Sequence, residues 1–132
     1  MEDRYLFKAK RLDTHDWILG FLSMHKTGKY FIRQIGGSAL SSEEVDKNTI
    51  CQCTGLKDKN GKLIWENDIM VAHLDDAYPE DETYIRILWY ESGFCSKEKG
   101  SEDISQIDKF DQEYFEVCGN IFDNKELLES EG

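Results

Sequence analysis

Two cysteines separated by one residue are the first candidates for chemistry in this chain. Cys51 and Cys53 would point the same way along a strand, since side chains two residues apart lie on one face. Together with Cys95, Cys118 or His73 they would supply the mixed thiolate and imidazole ligands of a zinc site. The usual structural zinc motif has two residues between its cysteines, and no second cysteine pair is present here. The spacing therefore favours small buried core residues, and we predict no metal and no cofactor.

Catalysis by a cysteine would require a histidine partner. The chain offers His15, His25 and His73, but no local pattern singles one out, and two of the three lie near predicted turns. Without a nucleophile, a base and a group that orients the base, the sequence indicates a protein that is not an enzyme.

A charged segment between two predicted strands offers oxygen ligands for Ca²⁺ or Mg²⁺. Its spacing does not match the EF-hand loop, which needs alternating oxygen ligands, a central glycine and a terminal glutamate. We therefore interpret it as a solvated acidic loop. The acids concerned are Asp75, Asp76, Glu80, Asp81 and Glu82.

Aromatic side chains are the better candidates for a binding surface. Trp65 and Trp89 lie in apolar strand patterns, so we expect at least one of them to be buried, whereas Tyr78 and Tyr90 flank turns or charged loops. If exposed, Trp65, Trp89, Tyr90 and Phe94 would line a peptide groove, and Tyr78 and Tyr90 are the better candidates for an exposed binding surface.

A cluster of basic residues occurs at Lys57, Lys59 and Lys62. It is interleaved with Asp58 and followed by Glu66. This hairpin is a candidate for nucleic-acid contact, but the nearby acids weaken it.

The overall charge limits the partners. The chain has 132 residues, a formal net charge of −11 and a sequence pI of about 4.6. Binding to phosphate backbones or anionic membranes relies on Lys and Arg, so both are disfavoured. A soluble acidic surface, a surface for basic partners and a mimic of nucleic acid all remain open.

No apolar run approaches the ~20 residues of a membrane span, and the acidic N-terminus does not resemble a signal peptide. We expect a cytoplasmic protein with reduced cysteines.

The elements that would position these residues are short strands joined by dense turns. Asp58, Asn60 and Gly61 form a hairpin turn signal, and Asn67 with Asp68 form a second turn at which Asn67 would take a left-handed conformation. Alternating or apolar runs predict strands near residues 5–10, 17–22, 30–35, 50–55, 62–65, 69–74, 84–90 and 114–121.

Helix is predicted to be scarce. Asp123 or Asn124 would cap a short terminal helix over residues 125–129, and Ser41 or Ser42 would cap a single helical turn, although a connecting segment is the favoured interpretation there. Residues 97–105 read as a polar excursion. The pattern predicts a small antiparallel barrel over residues 49–132, with a β-rich segment over residues 1–48 packed on it as one compact domain.

Three segments resemble the YopX family of phage and prophage proteins. They are the opening strand Arg4 to Ala9, the run from Thr54 and Gly55 to Val71, and the closing segment that contains Gly119 and Asn120. The central run resembles the family motif almost position by position.

Four positions depart from the family pattern. Asn67 stands where the family usually has Gly, Met70 replaces a β-branched residue, Lys125 replaces Pro, and Lys10 stands near a usual Trp. The resemblance implies a mainly-β fold with an SH3-like barrel and a phage or mobile-element context. It implies no activity.

These observations favour a non-enzymatic protein-interaction module that acts on a host or phage protein. A DNA mimic that inhibits a host nucleic-acid-binding protein is the first alternative, and a weak nucleic-acid-binding barrel is the second. Exposed edge strands would also permit a homo-oligomer, because their unpaired N–H and C=O groups invite pairing with another copy.

Overall fold

The computed structural model describes residues 3–35, 42–74, 77–78 and 80–129. Backbone contacts divide the chain into two units, Met1–Gly55 and Leu56–Gly132. The division falls inside a strand, at Gly55, whose φ of 80° is a left-handed conformation that glycine adopts without strain.

The first unit is an antiparallel sheet with the strand order β4-β3-β2-β1-β5. Two 3₁₀ turns accompany it, at Asp3–Tyr5 and Lys47–Thr49. The strands are β1 Phe7–Lys10, β2 Trp17–Met24, β3 Tyr30–Gln34, β4 Glu43–Val45 and β5 Cys51–Lys57, the last of which continues into the second unit.

One face of this sheet forms the core of the first unit. Ile18 of β2 lies opposite Ala9 of β1, and Leu22 lies opposite Ile32 of β3, so alternate residues of each strand meet on one side. The buried cluster consists of Ala9, Ile18, Ile32 and Val45. The residues between them, such as Leu19 and Phe21, are left on the other face.

The second unit is built on an antiparallel sheet with the order β10-β9-β8-β7-β11. Its strands are β6 Leu63–Trp65, β7 Asp68–Ala72, β8 Thr83–Tyr90, β9 Gly93–Glu98, β10 Ile104–Gln106 and β11 Glu116–Asn120. Helix α1 Lys109–Tyr114 precedes β11, and a 3₁₀ turn Lys125–Leu128 follows it. Strand β6 neighbours β5.

Strand β7 lies at the centre of the second unit. All five of its residues are buried, and β8 and β11 flank it on its two edges. Its side chains contribute to a cluster formed by Ile64, Met70, Ala72, Ile85, Ile87 and Phe115. Burial on both faces requires an apolar strand, and residues 69–72 meet this requirement, while the first residue, Asp68, is buried with a hydrogen bond from the Trp65 N–H.

The mainly-β prediction is confirmed, but no closed barrel is found among the described residues. Strands β7 to β11 form an open sheet that ends at β10 and β11, and β6 pairs with β5 instead. The turn-forming residues determine which consecutive strands fold back on each other. Closure depends on pairing between strands distant in sequence, which the turn pattern does not encode.

The helix and strand predictions differ from the structure in four places. The segment after Ser42, for which we favoured a connecting segment over a single helical turn, is instead strand β4, which pairs with β3; Ser41 lies outside the described residues. The excursion predicted for residues 97–105 contains the start of β10. Helix α1 was missed, and the predicted terminal helix is a 3₁₀ turn whose N-cap, Asn124, makes no side-chain capping hydrogen bond.

Candidate functional site

The residues of the first turn in the central motif are engaged by the backbone. The Asp58 carboxylate, only 6% exposed, accepts the N–H groups of Asn60 and Lys62 through Oδ1, each at 2.9 Å. The backbone closes the same turn, because the N–H of Gly61 donates to the carbonyl of Asp58 at 3.0 Å. Gly61 has a φ of 80°. These bonds assign Asp58 a structural role.

The second turn is built in the same way. Asp68, 2% exposed, accepts the N–H of Trp65 at 2.8 Å. Asn67 has a φ of 71°. Its N–H donates to the carbonyl of Ile87 at 2.7 Å, and its carbonyl accepts the N–H of Ile121 at 3.0 Å. The turn therefore links three segments of the second unit.

The closing motif is equally structural. The side chain of Asn124 accepts the N–H of Asn120 at 3.2 Å and fills the space beside Gly119, where an added Cβ would lie 2.5 Å from Asn124 Oδ1. Asn120 Oδ1 accepts the N–H groups of Phe122 and Asp123, both at 2.9 Å.

At the start of the central motif, Thr54 lies on β5. Gly55 packs against Arg4, and a Cβ added at Gly55 would lie only 3.3 Å from the Cβ of Arg4. The motif residues therefore hold the fold together.

The four cysteines are thiols. Cys51, Cys53 and Cys95 are buried, and Cys118 is exposed. Although Cys118 is exposed by surface area, the fold still removes part of the water around its sulfur, and this partial desolvation raises the pKa of the thiol; the charge of Glu116 adds to the effect. In the described part of the chain no three His, Cys, Asp or Glu side chains are placed to hold a metal ion, so the Cys51/Cys53 zinc hypothesis gains no support there.

The predicted binding residues occupy separate elements. Trp65 is buried at 6% exposure in β6, whereas Tyr78, Trp89 and Tyr90 are 57%, 50% and 47% exposed. Trp89 and Tyr90 end β8, and Trp89 meets Phe94 edge-to-face at 5.0 Å. The candidate lysines Lys57, Lys59 and Lys62 lie at the turn between β5 and β6.

Only part of the predicted acidic loop can be placed, because Asp75 and Asp76 lie outside the described residues. Glu82 accepts a hydrogen bond from the hydroxyl of Tyr84. This bond, aided by burial, raises the pKa of Tyr84 to about 12.

Sequence reasoning missed an open cleft in the second unit, which has a volume of about 420 Å³. Its apolar lining includes Leu74, Ile85, Phe110 and Phe115, and its acidic lining includes Glu98, Asp103, Asp108 and Asp111. We call this the acidic cleft.

Helix α1 supplies one wall of the acidic cleft. Asp108 caps the helix by accepting the N–H of Asp111 at 2.9 Å, and Asp111 accepts the N–H of Asp108 at 3.2 Å. Burial raises the pKa of the Asp111 carboxyl. Two acids three residues apart before an aromatic segment form a capping-box pattern, so this signal was available in the sequence.

Formal charge differs sharply between the two units. Residues 1–55 contain eight Lys or Arg and seven Asp or Glu, which gives +1. Residues 56–132 contain eight basic and twenty acidic residues, which gives −12. The acidity of the protein therefore resides in the second unit, which also contains the acidic cleft.

The two open antiparallel sheets, held by structural turns, define a mainly-β protein. The model of the YopX protein family matches residues 22–129, and the chain belongs to this family.

A solved structure with a similar fold is the crystal structure of protein EF1440 from Enterococcus faecalis. It aligns with a TM-score of 0.61 and 26% sequence identity, over 93% of this chain and 96% of that one. A search of curated proteins found no match. Within the described residues, no helix is both long and apolar enough to cross a membrane.

Proposed function

We propose that this YopX-family chain is a non-enzymatic protein-interaction module, encoded by a phage or mobile element and acting in the host cytoplasm. The observation that supports it best is the acidic cleft, because it combines an apolar lining with several carboxylates. Concave sites of this kind are the usual places where proteins bind ligands and peptide segments.

The chemistry of the cleft selects a basic partner. Phe110 is 48% exposed and stacks obliquely on Tyr114, with ring centroids 4.6 Å apart. Its ring offers an apolar contact beside the carboxylates of Asp103 and Asp108. A segment with an apolar side chain next to Lys or Arg would satisfy both features, and charge complementarity would speed its association.

The second set of exposed aromatics would extend the surface. Trp89 and Tyr90 are about half exposed at the tip of the β8–β9 hairpin, and Glu91 in the turn has a φ of 57°. Trp and Tyr are enriched among the residues that dominate binding energy at interfaces.

Affinity capture from host lysate tests the proposal. Tagged full-length chain is incubated with nuclease-treated lysate, alongside a Glu98→Gln/Asp103→Asn variant of the cleft. A Glu126→Gln/Glu129→Gln variant loses the same charge at exposed positions outside the cleft. We expect one dominant captured protein, with at least tenfold less recovered by the cleft variant and normal recovery by the control. Recovery of the bait alone from several hosts, or equal recovery by both variants, would contradict the proposal.

A DNA mimic is the second candidate, and the charge of −12 on residues 56–132 favours it. A mimic would occupy the nucleic-acid site of its partner. The captured protein should then lose its nucleic-acid binding when the chain is added in equimolar amount. A ternary complex of partner, nucleic acid and chain would exclude mimicry while leaving the interaction module intact.

A further inference from the structure

The β2–β3 hairpin lies in the longest stretch of this acidic protein that contains no Asp or Glu. The chain contains 27 Asp and Glu residues, yet none occurs between Trp17 and Ser42. The same stretch contains Lys26, Lys29 and Arg33 together with His25. We call residues 17–34, which comprise β2, β3 and the turn between them, the basic hairpin.

The register of the basic hairpin brings rings and cations onto one face. Phe21 lies opposite Arg33, and Ser23 lies opposite Phe31, so Phe21, Phe31 and Arg33 share the face that points away from the core residues Leu22 and Ile32. Phe21 is 37% exposed, and Arg33 is exposed. The imidazole of His25 stacks on Phe31 with ring centroids 4.1 Å apart.

The turn of the basic hairpin holds the two lysines at its tip. The N–H of His25 donates to the carbonyl of Lys29 at 2.8 Å, and the N–H of Gly28, whose φ is 85°, donates to the carbonyl of His25 at 2.9 Å. Both lysines are exposed. In the described part of the chain, neither they nor Arg33 form an ion pair.

Among the described residues, the face of the basic hairpin that carries Phe21, Phe31 and Arg33 has an acidic neighbour in Glu44. This residue lies opposite Phe31 on β4 and so marks the border of the basic surface. The remaining acidity belongs mostly to the second unit. Charges in solvent are screened over about 8 Å at physiological ionic strength, so a net negative protein can still present a locally basic surface.

We propose that the basic hairpin binds single-stranded nucleic acid. Proteins that bind single strands combine cations along the backbone with aromatic rings on which bases stack. Here Phe21 and Phe31 would supply the rings, and Lys26, Lys29 and Arg33 would contact phosphates. Rings on a sheet face cannot stack on bases that are paired inside a duplex, which is why an unpaired strand fits better.

This inference is independent of the proposed function, since the acidic cleft belongs to the second unit and would bind a basic protein. It also differs from nucleic-acid contact through Lys57, Lys59 and Lys62. The total charge of the chain argues against contact with phosphates, but that total is the sum of +1 on residues 1–55 and −12 on residues 56–132.

Fluorescence anisotropy of the full chain with labelled oligo-dT and oligo-U of about 15 nucleotides tests the proposal. Three phosphate contacts predict that affinity falls about 20-fold between 50 and 200 mM salt. Lys26→Glu/Lys29→Glu should abolish binding, whereas Lys109→Glu/Lys125→Glu, with the same charge change at exposed positions of the second unit, should preserve it.

The rings are tested separately from the charges. Phe21→Ala should weaken binding at least fivefold, and Phe21→Tyr should retain it, because either aromatic ring can stack. Circular dichroism confirms that each variant is folded. Absence of binding at low salt, equal losses in the two lysine variants, tighter binding of a duplex, or salt-sensitive self-association without oligonucleotide binding would each overturn the proposal.

Discussion

The Asp58 carboxylate accepts the backbone N–H of Val117 at 2.8 Å, across 59 residues of sequence. Since its other oxygen binds the turn at Asn60 and Lys62, this one side chain joins the central motif to strand β11. Two further bonds run beside it, from Lys59 N–H to the carbonyl of Phe115 and from the Asn60 amide to the Glu116 carboxylate. A buried charge is stable when several donors satisfy it, as here.

Removing this carboxylate should destabilise the protein. Asp58→Ala leaves three N–H groups without their acceptor, and we expect the free energy of unfolding to fall by about 3 kcal/mol. Asp58→Asn should cost less, because its amide oxygen can still accept at the turn. Urea unfolding measures both, with the exposed substitution Glu126→Ala as the control. A loss for Asp58→Ala no larger than that of the control would show that Asp58 does not hold these segments together.

The sequence predicts the hydrogen bonds of Asp58 within its own turn but not its hydrogen bond to Val117. Asp58, Asn60 and Gly61 are turn formers at fixed spacing, so a hairpin could be predicted there from neighbouring residues alone. Nothing near Asp58 indicates that its second oxygen reaches Val117. The failure to predict the open sheet has the same origin, because β11 pairs with β7 through contacts distant in sequence.

The two proposed binding surfaces could not be predicted from the sequence for a different reason. A total charge of −11 conceals the contrast between +1 and −12 in the two units. The acidic cleft also requires residues from Leu74 to Phe115 to converge, which no spacing pattern shows. The exposed aromatics Tyr78 and Tyr90 could be found from the sequence, since they flank turns and charged segments.

Asn67 should tolerate glycine better than alanine. Its φ of 71° strains any residue with a Cβ, although Asn tolerates this conformation better than most. Asn67→Gly removes the strain but also the hydrogen bond from Arg86 Nη2 to Asn67 Oδ1 at 3.2 Å, so its net effect should be small. Asn67→Ala loses the bond and keeps the strain, and should be about 1 kcal/mol less stable than Asn67→Gly. Thermal unfolding of both variants decides, and equal stability would contradict the role given to φ.

Gly20 should tolerate no side chain. An added Cβ would lie 2.0 Å from the backbone oxygen of Arg33, and backbone cannot move aside as a flexible side chain can. We expect Gly20→Ala to lower the free energy of unfolding by about 1–3 kcal/mol. Gly93→Ala is the matched control, because that strand glycine has nothing within 4 Å of an added Cβ. Comparable losses in urea unfolding for the two variants would refute the close approach of β2 to β3.

Asp111, in the acidic cleft, should make the free energy of unfolding depend on pH. Burial raises its pKa in the folded chain, so folding favours the protonated form. The stability it contributes is therefore fully present below the unfolded pKa of about 3.9 and is lost as pH rises through the higher folded value. Asp111→Asn cannot ionise, yet its oxygen can still accept the Asp108 N–H. The free energy of unfolding of the native chain should thus fall relative to Asp111→Asn as pH rises from about 4 to neutrality. Urea titrations at several pH values measure the difference, and Glu126→Gln corrects for the loss of one charge. A gap that stays constant, or that changes in the opposite direction, would show that burial does not control this carboxyl.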